Sequence, residues 1–256
     1  MDDGTVALEL RNGSALITVN RPESRNALTA AMKRRLLAIC AELNADRSVR
    51  VVVVRGAGGA FISGGDLREM GELTSVCDLI KLAHTGEELY AAIEGLNAPT
   101  VAVIEGGAFG SGLVIALACD LRVCTTDATF GVPSARAIGN CLSPDEYRRL
   151  LAVLGAARAK EMLLAARILS AEVAAEWGLV TAVHARDELE EGVRALTDRL
   201  ASHAPLAMWA AKESMRRLAR GEQARDDILE RVLGSDDFRE GLAAFTEKRR
   251  PRWTSQ

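Results

Sequence analysis

Short β-branched runs alternate with longer segments of 3.6-residue period from Val6 to about residue 125, and beyond that point strand signal nearly stops. The runs Val6 to Leu10, Ala15 to Val19, Val51 to Val54, Thr100 to Ile104 and Leu121 to Val123 read as strands. Between the second and third, Thr29 is suited to cap a helix carrying Met32, Leu36, Leu37, Ile39 and Leu43 on one side, with Lys33, Arg34, Arg35 and Glu42 elsewhere. Repeated strand–helix alternation requires crossover connections, which are right-handed and build a mostly parallel sheet. From Ser143 onward the chain reads as successive helices, with one returning strand over Leu179 to Val183. Ser143-Pro144-Asp145-Glu146 is a helix start, with Ser at the N-cap, Pro in the first turn and Glu completing a capping box. Gly155 is placed to end that helix. With no Pro/Gly/Ser-rich linker and no repeat period, the chain reads as an α/β core over residues 1–195 followed by a helical region over 196–256.

Composition excludes several partners. At 256 residues and 48% hydrophobic, the chain can bury a large core without staples. A formal charge of −3 leaves no broad basic field for nucleic acid, so the partner is a small molecule or another subunit. The longest strongly apolar run, Leu113 to Cys119, stops at Asp120 and is too short to cross a bilayer. Five cysteines, an odd number without a C-x-x-C pair, read as reduced thiols. The acidic Met1-Asp2-Asp3 start lacks the regions of a signal peptide, and cytoplasmic residence is expected. Cys141, with no His nearby in sequence, reads as a buried, inert thiol. His84, His184 and His203 share no metal-ligand spacing, and no metal is expected.

Two glycine-rich stretches carry the chemical signal. Arg55-Gly56-Ala57-Gly58-Gly59-Ala60-Phe61-Ile62-Ser63-Gly64-Gly65-Asp66-Leu67 follows one strand, and Glu105-Gly106-Gly107-Ala108-Phe109-Gly110-Ser111-Gly112 follows another. Each puts backbone at a strand end before a helix N-terminus, where unpaired N–H groups favour developing negative charge. A dinucleotide fold is the rival, since Gly56-Ala57-Gly58 follows a strand, but its third fingerprint position is Phe61.

Asn20-Arg21-Pro22 with Asn26-Ala27-Leu28, Ala60 to Leu67, and Ala118-Cys119-Asp120-Leu121-Arg122 with Phe130-Gly131 resemble, in order and spacing, the signatures of the crotonase (enoyl-CoA hydratase/isomerase) superfamily. Ser170-Ala171-Glu172, Trp177-Gly178-Leu179-Val180 and Phe245-Thr246-Glu247-Lys248-Arg249 extend the likeness over about residues 5 to 252. The resemblance implies a ββα-superhelix core with a C-terminal helical trimerisation region, assembled as a homotrimer or dimer of trimers. It implies an acyl-CoA thioester as substrate, with no cofactor beyond the CoA that the substrate carries. The backbone N–H groups of Gly65 and Ser111 fall at the family's oxyanion hole, where each donor can contribute about 2.7 to 4 kcal/mol to an enolate-like transition state. By the same likeness the adenine lies against Ser63, Gly64, Gly65, Asp66 and Leu67, with Arg25 and Ala27 near the phosphates and pantetheine. Phe245 and Lys248 are expected to reach the CoA of a neighbouring subunit, the alternative for Lys248 being a solvated basic tail.

The pattern breaks at the acids. Hydratases of this family use two glutamates, and here those positions read Val114 and Ser134. Valine transfers no proton and serine is a poor general base unless activated. Replacement acids are Asp145 and Glu146, then Glu69 and Glu72, whose alternative reading is a solvent-facing one. His84 is a further candidate for the acyl pocket, and Glu105 suits a structural hydrogen bond. Two functions therefore stand: an enoyl-CoA hydratase/isomerase-like enzyme stabilising an enolate, or an acyl-CoA binding protein that kept the hole and lost the chemistry.

Overall fold

The computed structural model describes residues 5–223 and 225–254, so the Met1-Asp2-Asp3 start lies outside the described residues. β1 (Thr5–Arg11) and β2 (Ser14–Asn20) form an antiparallel hairpin. Its two-residue turn is Asn12-Gly13, both at positive φ (50° and 78°), the geometry that matches strand twist. α1 (Ala30–Ala45) begins where Thr29 Oγ1 accepts from Met32 N, and returns the chain to β3 (Val51–Gly56), which lies parallel to β2. α2 (Leu67–Glu72) and α3 (Val76–Glu94) lead to β4 (Thr100–Ile104), parallel to β3. β5 (Gly107–Phe109), α4 (Ser111–Ala118) and β6 (Leu121–Thr125) follow, β6 pairing in parallel with β4. β7 (Thr129–Gly131), α5 (Ser134–Ala137), α6 (Pro144–Leu164), β8 (Leu169–Ser170), α7 (Ala171–Glu176) and β9 (Ala182–His184) complete the sheets. Among the described residues four further helices follow: α8 (Leu189–Ala201), α9 (Pro205–Ala219), α10 (Asp227–Leu233) and α11 (Asp236–Glu247).

The larger sheet runs β1-β2-β3-β4-β6-β9 and is parallel except at the first hairpin; the smaller runs β5-β7-β8. Four successive valines make β3 because both of its faces are covered. Val52 and Val54 join the core beneath α1, α3 and α4, whereas Val51 and Val53 pack with Val101, Val103, Val123 and the α8 residues Leu189 and Val193. α8 runs across residues 195 and 196 while lying on the sheet through those contacts.

Gly155 (φ 69°, ψ 167°) leaves the helical conformation and ends the first stretch of α6, as expected, and a second helical stretch runs on to Leu164. Two local expectations shift. The returning strand starts at Ala182, because Gly178 (φ 76°) turns the chain and Leu179 and Val180 enter the core as irregular backbone. The second glycine stretch is not a simple turn, since it contains β5. No helix among the described residues is long and apolar enough to cross a membrane.

Candidate functional site

The two glycine stretches run side by side. Ile62 and Ala108 form a parallel bridge, Phe61 N donates to Glu105 O (2.7 Å) and Phe109 N donates to Ile62 O (3.2 Å). Leu28 bridges Gly65 by donating from its N to Gly64 O (2.8 Å) and accepting from Asp66 N (2.9 Å). In such a bridge Leu28 uses the groups flanking Gly65, so the N–H of Gly65 itself turns to the opposite side. Ser111 opens α4 after Gly110, which sits at φ 48° and ψ −122° and has no side chain to cap the helix. Gly110 is fixed in turn by its N–H on Gly131 O (3.1 Å) in β7. A methyl group on Gly112 would lie 1.9 Å from Ile62 O, so only glycine lets α4 close on the first stretch. A methyl built on Gly65 would lie 3.8 Å from Ser111 Oγ, which measures how near the two segments come.

Buried Asn26 locks the first stretch to the β2–α1 connection: its Oδ1 accepts from Arg21 N (2.8 Å) and its Nδ2 donates to Ala57 O (2.9 Å) and Ala60 O (2.8 Å). Arg25 is exposed at φ 49°, Ala27 is half-buried, and Ser63 donates through N to Arg25 O and through Oγ to Ser24 O. Gly64 adopts φ 127°, and Leu67 is exposed. The Asp66 carboxylate caps α2 by accepting from Arg68 N and Glu69 N and pairs with Arg21 at 2.5 Å. Burial opposes its charge, but Arg21 and those amides prevail and hold Asp66 below its ordinary value. Phe245 is 86% exposed near the end of α11, and Lys248, also exposed, follows as its left-handed cap.

Val114 is fully buried in the core, and Ser134 is half-buried at the start of α5. Of the adjacent pair, Asp145 points outward and pairs with Arg148 (3.2 Å). Glu146 turns inward: its Oε2 accepts from Ser143 N (2.7 Å) while Ser143 Oγ accepts from Glu146 N, closing the expected capping box. Burial first, with a further contribution from the Glu87 charge, holds Glu146 above its ordinary value. Glu87 contacts Ser143 Oγ and pairs with Arg149 (2.9 Å), whose guanidinium also engages Glu94 and lies 5.5 Å from the centre of the Tyr90 ring. Tyr90 is buried, its hydroxyl adjoins both Ser111 and Glu146, and burial raises its ionisation above the ordinary range. A buried polar network thus lies behind Ser111.

Lys33 departs most from the sequence reading. It is 6% exposed, and its Nζ would lie 4.0 Å from a methyl on Gly65. Burial lowers its ionisation, while the charges of Glu69 and Glu146 oppose that shift. Arg34 and Arg35 beside it are exposed, as the pattern predicts for all three. The available signal was its spacing: Lys33, Leu36 and Cys40 stand at i, i+3 and i+7, on one helix face. Glu69 is not solvent-facing either, since it is half-buried and its Oε2 accepts from Ala30 N (2.7 Å), whereas Glu72 and His84 are exposed. Cys141 is exposed, because the 138–141 connector runs over the surface. Glu105 binds Arg55 and Arg186, the structural role expected of it. Among the described residues no group of three or more His, Cys, Asp or Glu could hold a metal ion.

Residues 9–256 match the enoyl-CoA hydratase/isomerase family. The chain is 36% identical to the bovine mitochondrial enoyl-CoA hydratase domain-containing protein 2, over 95% of this chain and 85% of that protein. It is 32% identical to the 2,3-dehydroadipyl-CoA hydratase of Escherichia coli K12, over 92% and 93% respectively. The crystal structure of an enoyl-CoA hydratase/carnithine racemase from Magnetospirillum magneticum superposes with a TM-score of 0.93 at 33% identity, covering 100% of this chain and 97% of that one.

Proposed function

Because the chain belongs to the enoyl-CoA hydratase/isomerase family, we propose that this enzyme binds an acyl-CoA thioester with its carbonyl oxygen between the N–H groups of Gly65 and Ser111. The carrying observation is the convergence of these segments, with Ser111 Oγ 3.8 Å from a methyl built on Gly65. As C2 loses a proton or C3 gains a nucleophile, negative charge collects on the thioester oxygen, and two fixed amides stabilise it without reorganisation. The CoA moiety lies along Ser63 to Leu67, with Arg25 and Ala27 toward its phosphates and pantetheine. This reading is supported by a backbone that Asn26 and Leu28 hold in place.

Glu146 is the acid/base in this proposal. It faces inward, and its raised ionisation lets it hold or release a proton nearer neutrality than an exposed carboxyl. Asp145 and Ser134 are the alternatives; neither has a comparable environment, Asp145 being exposed and paired with Arg148. No cofactor beyond the substrate's CoA is required by this scheme. Cytoplasmic residence is proposed on the five free thiols, and a homotrimer or dimer of trimers on the exposed apolar residues of the C-terminal helices.

A panel of 2-enoyl-, 3-enoyl- and β-hydroxyacyl-CoAs, followed by the absorbance of the conjugated thioester, tests the reading. Turnover of at least one member is expected, and Glu146→Gln should lower kcat by about 10²- to 10⁴-fold with KM little changed. Tight binding without turnover across the panel would instead favour an acyl-CoA binding protein.

A further inference from the structure

A methyl group built on Gly65 would lie 3.8 Å from Ser111 Oγ and 4.0 Å from Lys33 Nζ, so both side chains end beside this glycine. Lys33 stands in the first turns of α1 and is almost wholly removed from solvent. Among the described residues its ammonium makes no hydrogen bond and no close ion pair; Glu69 from α2 and Glu146 from α6 act on it only across space. An amine buried without a direct partner costs the fold free energy. A cation kept in that condition beside unpaired backbone donors points to a ligand that supplies the missing negative charge.

Resting on the acyl-CoA reading above, we propose that Lys33 is a catalytic residue: a charged third donor to the oxygen of an enolised CoA thioester, alongside the Gly65 and Ser111 amides. The step is a hydrogen bond, with no covalent bond to the enzyme. When C2 loses its proton, the electron pair moves into the thioester oxygen, and Lys33 keeps its own proton while donating to that oxygen. A neutral main-chain hole partly offsets the new charge; adding an ammonium removed from solvent offsets more. Lys33 also sets which states bind best, because an uncharged carbonyl leaves the ammonium nearly as unpaired as in the empty site, whereas the enolate pairs it. The interaction therefore strengthens toward the transition state, as catalysis requires.

The test uses acetoacetyl-CoA, whose enolate absorbs in the near ultraviolet, titrated with pH on the full-length enzyme. Lys33→Met, nearly isosteric and neutral, is compared with wild type, and Lys33→Arg serves as a second variant that keeps the charge. Wild type should bind this ligand with its enolisation shifted to lower pH than in free solution. Lys33→Met should move the midpoint back by about 1 to 3 pH units, the usual effect of an opposite charge at this range, with Lys33→Arg between the two. The Lys33→Met protein should be at least as stable to urea as wild type, which separates loss of the donor from loss of the fold. Equal midpoints in wild type and Lys33→Met would overturn the role of Lys33 and leave the acyl-CoA reading standing. Selective loss of malonyl-CoA affinity in Lys33→Met, with that midpoint unmoved, would likewise overturn it in favour of a carboxylate-binding lysine. No binding of acetoacetyl-CoA to wild type would remove both proposals.

Discussion

Glu146, the proposed acid/base, also carries a structural demand in the same carboxyl. Its capping bond to Ser143 N fixes its position at the start of α6, while burial and the Glu87 charge favour its neutral form. A carboxyl whose folded value is raised contributes stability that is complete below its unfolded value of 4.5 and is lost as pH climbs through the folded one. Glu146→Gln stays neutral and keeps an acceptor for Ser143. Its urea midpoint relative to wild type should therefore rise as pH climbs above 4.5 through the raised folded value and then level off; a difference independent of pH would contradict the environment described. At this scale the sequence was legible where the chemistry is local. Ser143 and Glu146 stand three apart and report their capping box directly. Lys33 stood between Met32 and two exposed arginines, and its burial depends on how the 65–69 segment folds across α1. Tyr90 and Arg149 meet Ser111 and Glu87 across large sequence separations, which no window along the chain can reveal.

Each strand predicted through residue 123 formed, because both the alternation of β1 and β2 and the unbroken valines of β3 are strong periodic signals. β5, β7 and β8 span three, three and two residues, too short to show a period. Yet this small sheet anchors the segment that presents Ser111. The junction between α4 and the first glycine stretch is correspondingly intolerant. Gly112→Ala would bring a methyl to 1.9 Å from Ile62 O, and backbone there has no flexible end to give way. It should lower stability by about 1 to 3 kcal/mol and turnover by at least tenfold, measured by urea melts and by the active thioester of the panel. Gly71→Ala in α2 meets nothing within 4 Å. It should leave turnover intact and gain up to about 1 kcal/mol from helix propensity. Equal responses from the two variants would mean that α4 does not set the site.

For the whole molecule, the sequence conveyed a single α/β core with a helical end, and the family resemblance extended that to the ββα superhelix. The expectation of a trimer rests only on that resemblance, since interface residues carry no periodic mark separating them from core. Leu229, Leu233, Phe238, Leu242 and Phe245 are exposed along α10 and α11, apolar side chains of the kind that association would cover. The proposed trimer covers these residues. Sedimentation of the native protein should give three or six chains, and Leu242→Glu with Phe245→Glu should shift it toward single chains. A wild type that sediments as one chain would reject the assembly.

The donors proposed at Gly65 and Ser111 belong to the main chain, in segments held by a bridge to Leu28 and by the start of α4. Few replacements can delete an amide hydrogen. A site built this way, as proposed, keeps its donors whatever side chains surround it, an aliphatic residue at 114 or a lysine at 33 included. Catalytic novelty in such a scaffold accumulates around a feature that substitution can scarcely erase.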